Sequence, residues 1–142
     1  MTSEFTGSKK SAAFSTKRRF MPTWIPEGWH SVTPRLVVHE PARLVEFLKS
    51  AFGASGDLAT GSPSQMRIGD SIVMVTGVGP REPSPAFLYV YVADADATYQ
   101  RALAAGAVSL EEPADMPYGD RRAMVKDPCG NDWQIATYRR TT

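Results

Sequence analysis

The stretch LYVYVADADATYQRALAAGA, residues 88–107, decides the fold. Its opening alternates: Leu88, Val90 and Val92 fall on one face, with Phe87, Tyr89 and Tyr91 on the other. That is the period-two pattern of a strand. Asp94 then offers a side-chain oxygen to the first turn of a helix. Ala95, Thr98, Tyr99, Ala102 and Leu103 recur at helical spacing, and Gly106 ends the run. The helix can cover the aliphatic face of the strand. The tyrosines are left on the other side.

The same order stands upstream. Val32–Val38 reads as a strand, and Pro41 suits the first turn of a helix, where a missing N–H costs nothing. Leu44, Phe47, Leu48, Ala51 and Phe52 form the buried stripe, and Gly53 stops it. Gly53-Ala54 and Gly106-Ala107 close the two helices at equivalent points. Short β-like pieces follow the first helix, around Leu58, Gln65–Ile68 and Ser71–Thr76, with Gly69-Asp70 as a turn. Val108–Leu110, Arg122–Lys126 and Trp133–Thr137 follow the second. Asp127-Pro-Cys-Gly-Asn131 forms the last turn. Pro80, Pro83 and Pro85 make a stiff linker between the halves. The chain reads as β-α-β-β-β twice, module one at about 28–79 and module two at about 84–140. The expected class is α+β, with mixed sheets and helices on one face.

Composition agrees. At 142 residues, 42% hydrophobic and 22% charged, the chain suits one compact domain, and is neither collagen-like, coiled-coil nor wholly disordered. The net charge of +1 hides an asymmetry. Lys9, Lys10, Lys17, Arg18 and Arg19 face only Glu4 within residues 1–22, while the remainder is mildly acidic. Residues 1–22 read as a flexible basic extension or a start codon placed too early; a transit peptide or docking arm is the sharper alternative. Residues 23–142 read as the domain. Its acidic balance argues against nucleic acid, and no apolar run reaches the roughly 18 residues of a membrane helix. A single cysteine, Cys129, fits a reducing, cytoplasmic setting.

Strand parity separates a core from a second surface. Opposite the aliphatic sets lie Thr33, Arg35, Met74, Phe87, Tyr89, Tyr91, Arg122, Met124 and Gln134. Aromatic, thioether and guanidinium groups of this kind line either a ligand cleft or a subunit interface. Trp133 falls on core parity and is a weaker stacking candidate. Arg35 and Arg122 could hold a carboxylate or phosphate, or could pair with Asp132 or Asp120. His30 and His39 read as solvated or capping groups, Cys129 as an incidental exposed thiol, and Glu111-Glu112 as a solvated run. Asp94 and Asp96 read as acids at a helix start.

Three segments carry a family resemblance. HSVTPRLVVHEPARLVEFLKSAFGA (30–54), LYVYVADADATYQRALAAGA (88–107) and DPCGNDWQIATY (127–138) resemble, in order, parts of glyoxalase/bleomycin-resistance proteins of the vicinal oxygen chelate superfamily. The resemblance implies a glyoxalase-like fold, two βαβββ modules curling into half-barrels around a cleft, in chains that assemble as dimers. It also implies a divalent metal held by four side chains, two per module, acting as a Lewis acid. Those positions fall at Thr33, Met74, Phe87 and Gln134, and none is His, Asp or Glu. No metal and no cofactor is therefore expected. The expected function is a metal-free homodimer that sequesters or senses an aromatic or anionic small molecule. The alternatives are a metal-dependent lyase, isomerase or dioxygenase with displaced ligands, and a dimeric scaffold with no ligand.

Overall fold

A computed structural model describes residues 23–139. Residues 1–22, read above as a basic extension, lie outside the described residues, as do 140–142. Internal contacts divide the chain into Met1–Val32 and Thr33–Thr142, and the helices and strands below all belong to the second unit.

The first half contains β1 (Arg35–Val38), α1 (Pro41–Phe52), β2 (Ser64–Ile68) and β3 (Ser71–Gly77). The second contains β4 (Phe87–Tyr91), α2 (Ala95–Ala104), β5 (Val108–Asp115), β6 (Arg121–Lys126) and β7 (Asp132–Thr137). Pro41 opens α1, as its fixed φ favours, and Gly53 closes it in the left-handed region at φ 68°. The Gly53 and Ala54 amides donate back to Lys49 and Leu48 carbonyls at 3.0 and 3.2 Å. Asp94 caps α2, its Oδ1 accepting from the Ala97 amide at 3.1 Å. Thr137 joins the end of β7 to that same helix start. Its Oγ1 accepts from the Ala95 amide at 2.7 Å and donates to the Val92 carbonyl at 3.0 Å.

Two mixed sheets result, ordered β1-β3-β2 and β4-β7-β6-β5. In each, the first strand runs parallel to the last strand of its half and the other pairings are antiparallel. The aliphatic faces are buried as parity requires: Leu36, Val38, Val73 and Val75 in one sheet, Ala123, Val125, Trp133 and Ile135 in the other. The stripes Leu44, Val45, Phe47, Leu48 and Ala51 of α1 and Ala95, Thr98, Tyr99 and Ala102 of α2 cover them. The halves share one core. The Phe52 and Trp133 rings lie 4.8 Å apart, and Arg101 Nε donates to the Ala51 carbonyl at 3.2 Å.

Three sequence expectations change. The first strand starts at Arg35, because Pro34 has no amide to donate. No strand forms around Leu58, which is half exposed. Between α1 and β2 the described residues show one isolated bridge, Ser55 with Arg67, since Gly56, Gly61 and Pro63 break the alternation a ladder needs. Conversely, β5 runs on through Glu111 and Glu112 to Asp115, with two register shifts against β6. As an edge strand it tolerates Pro113.

Candidate ligand-binding face

The register of the second sheet builds a surface on the side away from the core. Tyr89 stands beside Gln134, Gln134 beside Met124, and Met124 beside Glu111. One row along lie Tyr91, Ala136 and Arg122; in the other direction lie Phe87, Asp132 and Lys126. Residues paired across strands share a face, so five of the sequence candidates in β4, β6 and β7 meet here with Phe87 at the edge. Phe87 is 66% exposed, Tyr91 59% and Tyr89 40%.

Asp120 organises this face. It is 3% exposed, and its Oδ2 accepts from Tyr89 Oη at 2.6 Å and Tyr91 Oη at 2.8 Å. Sharing one carboxylate oxygen holds the two rings 5.4 Å apart, inclined by 59°. Burial, then the hydrogen bond to Asp120, pushes the Tyr89 phenol far above its ordinary range. The Asp120 hydrogen bond, then desolvation, raises Tyr91 in the same direction. Both are hydrogen-bond donors at neutral pH, and both rings remain partly exposed to solvent.

Tyr118 extends the network: its hydroxyl lies 3.2 Å from Tyr89 Oη and accepts from Arg122 Nη1 at 3.2 Å. Arg122 Nη2 donates to Glu111 Oε1. Loss of hydration works against the Arg122 charge, but the Glu111 hydrogen bond and the Tyr118 contact outweigh it and raise its pKa. Arg122 thus pairs with neither Asp132 nor Asp120. Asp132 accepts from Lys126 at 2.7 Å, and Asp120 serves the tyrosines. Glu111 is exposed, as a solvated acid would be, but it also pairs with Arg122 at the edge of the site. Asp120 was legible in principle: extending β6 parity back two residues, from Met124 and Arg122, lands on it. Its tyrosine partners lie about thirty residues upstream, where no local pattern points to them.

The remaining candidates stand apart. Thr33 precedes β1, and Arg35 and Met74 are register partners in the first sheet. Arg35 Nη2 approaches Met74 Sδ at 3.8 Å. Among the described residues no hydrogen bond, ion pair or ring contact joins this group to the tyrosine face. Trp133 is 2% exposed and belongs to the core. The closing turn holds it: Asp127 accepts from Trp133 Nε1 at 2.8 Å, from the Cys129 and Asn131 amides, and from Asn131 Nδ2. Cys129 is half-buried against Glu40, to whose carbonyl its Sγ points at 3.7 Å, and is not the exposed thiol expected. Burial and the Asp127 charge push it up to about 11.

This two-sheet geometry matches a known group. The family model for the Glyoxalase/Bleomycin resistance protein/Dioxygenase superfamily matches residues 29–135, and the chain belongs to that superfamily. An uncharacterised protein of Mycobacterium bovis, Mb0911c, is 28% identical over 123 residues, 74% of this chain and 81% of that one. CFP32 of Mycobacterium tuberculosis, a candidate glyoxylase by name, is 30% identical over 82% of this chain, which spans only 47% of CFP32. The crystal structure of TioX from Micromonospora sp. ML1 superposes with a TM-score of 0.67 at 27% identity, covering 77% of this chain and 98% of TioX.

The metal of the family's enzymes finds a poor donor set here. Phe87 offers no lone pair, Met74 only a soft thioether, and Thr33 and Gln134 only neutral oxygens. Among the described residues no three His, Cys, Asp or Glu side chains are grouped as a metal requires. Asp120 already accepts two phenols, and Glu111 is paired with Arg122.

Proposed function

We propose that the protein binds a planar aromatic small molecule on the Tyr89–Tyr91 face without a metal, sequestering or sensing it. One observation carries this: two exposed tyrosine rings are fixed by a shared bond to the buried Asp120 carboxylate. Rings already held in place lose little conformational freedom when a ligand stacks on them. Met124 and Phe87 extend the apolar area, and Gln134 offers an amide between Tyr89 and Met124. A second copy of the chain, closing a homodimer over the face, would provide the opposite wall. Among the described residues no helix is long and apolar enough to cross a membrane, and the single cysteine, with no disulfide partner in the chain, is compatible with the cytoplasm.

Calorimetry against a panel of planar aromatic compounds tests the reading. Binding is expected in metal-free buffer and to weaken about fivefold in Tyr91→Ala, given a stacking contribution near 1 kcal/mol. Stoichiometric metal in protein purified without chelators, needed for ligand binding, would overturn it in favour of a metal-dependent enzyme. A panel without a binder would leave the face as a dimer interface alone.

A further inference from the structure

The first half of the chain carries a second concavity, which shares no lining residue with the second sheet. Its volume is about 970 Å³, and it is lined by Arg35 at the start of β1, the C-terminal end of β3 and the first turn of α1. The ends of parallel strands are where α/β sheets commonly take ligands, and the volume suffices for an organic molecule.

Its charge is one-sided. Arg35, Arg43 and Arg81 line it, against Glu40 as the single carboxylate. Arg43 lies 3.8 Å from Glu40, both well exposed, a pairing too loose to neutralise the site. Among the described residues, Arg35 has only the Met74 sulfur at 3.8 Å, and the Arg81 guanidinium makes no hydrogen bond or ion pair. The wall adds groups that suit an anion. Thr76 carries a buried hydroxyl without a hydrogen-bond partner. The first turn of α1 holds no acidic residue and receives no side-chain cap from Glu40, so its amide ends favour negative charge. The opposite rim, Thr60 to Ser64, is pinned by Ser64 Oγ accepting from the Ala59 amide at 2.8 Å.

We propose that this concavity binds a small organic oxyanion, a compound whose phosphate or carboxylate group is held between Arg35 and Arg81. The guanidinium fork matches both groups, and two charge-assisted, bidentate contacts add geometric specificity to the attraction. The site is independent of the tyrosine face. Arg122, the other cation considered for an anion, is already committed to Glu111 and Tyr118.

Titration calorimetry on the full chain at low salt tests it, with inorganic phosphate and citrate as separate probes. Saturable binding at one site per chain is expected, at least tenfold weaker in Arg35→Ala and in Arg81→Ala. Both side chains are exposed, so circular dichroism should confirm an unchanged fold. Tyr91→Ala should leave anion binding intact, which separates this site from the aromatic one. Phosphate binding alone points to a phosphorylated ligand, citrate binding alone to a carboxylate, and binding of both supports the oxyanion site as stated. The proposal is overturned if neither probe saturates. It is also overturned if the Arg35→Ala/Arg81→Ala double variant binds undiminished, which would place the anion elsewhere, for example on the lysines and arginines of residues 1–22.

Discussion

Asp120 places one buried carboxylate oxygen between two phenols, and the consequences can be measured. The phenols of Tyr89 and Tyr91 are raised in the folded chain. Their hydrogen bonds therefore stabilise it fully below the ordinary tyrosine value of about 10, and the contribution is lost as pH climbs beyond it. In a spectrophotometric titration, Asp120→Asn should move the onset of tyrosinate absorbance to lower pH; an unmoved curve would remove Asp120 from this role. Asp127 acts differently, as an acceptor for four donors in the closing turn. Asp127→Ala leaves the Asn131 amide N–H and Nδ2 and the Trp133 indole N–H without their acceptor, and should lower stability by about 3 kcal/mol in urea denaturation. Cys129 is a third case. With its thiol pushed up to about 11, it is almost wholly protonated at pH 8, so iodoacetamide should modify it much more slowly than free cysteine.

At the scale of elements, the two halves begin alike and diverge after their helices. Both helices start and stop where Pro41, Gly53, Asp94 and Gly106 placed them, because caps and stops are local chemistry. The divergence rests on Gly56. Its φ is +129°, and a Cβ there would sit 2.3 Å from the Gln65 carbonyl oxygen. The chain can cross β2 so closely only without a side chain. Gly56→Ala should cost about 1–3 kcal/mol and speed amide exchange at Ser55 and Arg67, the two ends of the bridge. Gly56, Gly61 and Pro63 disfavour a ladder around Leu58, but they do not say whether any residue of the loop pairs with β2 at all. That outcome depends on whether β2 offers a free edge in register, which is a tertiary matter.

At the scale of the molecule, the second sheet presents an aromatic face and an edge strand, β4, to solvent. Exposed aromatic area of this kind is the usual mark of a partner. Light scattering should return twice the 15.5 kDa chain mass, and Phe87→Glu should shift it toward the monomer while leaving circular dichroism unchanged. A monomeric wild type at micromolar concentration would show that one chain alone carries the face.

The sequence by itself determined the fold. The alternation of 88–92, the stripes of 44–52 and 95–103 and the turn residues between them act over a few positions, and parity sorted β1, β3, β4, β6 and β7 into core and open faces. The family resemblance places the metal positions at Thr33, Met74, Phe87 and Gln134, and the sequence shows no acid or histidine there. The tertiary structure decided the partners. Asp120 serves the tyrosines, Glu111 holds Arg122, and Arg35 stands against Met74 beside the cavity of the first half. Parity names the face on which a charge lies. Which opposite charge stands beside it depends on strand register and bulges across thirty or more residues, and only the folded sheet settles those.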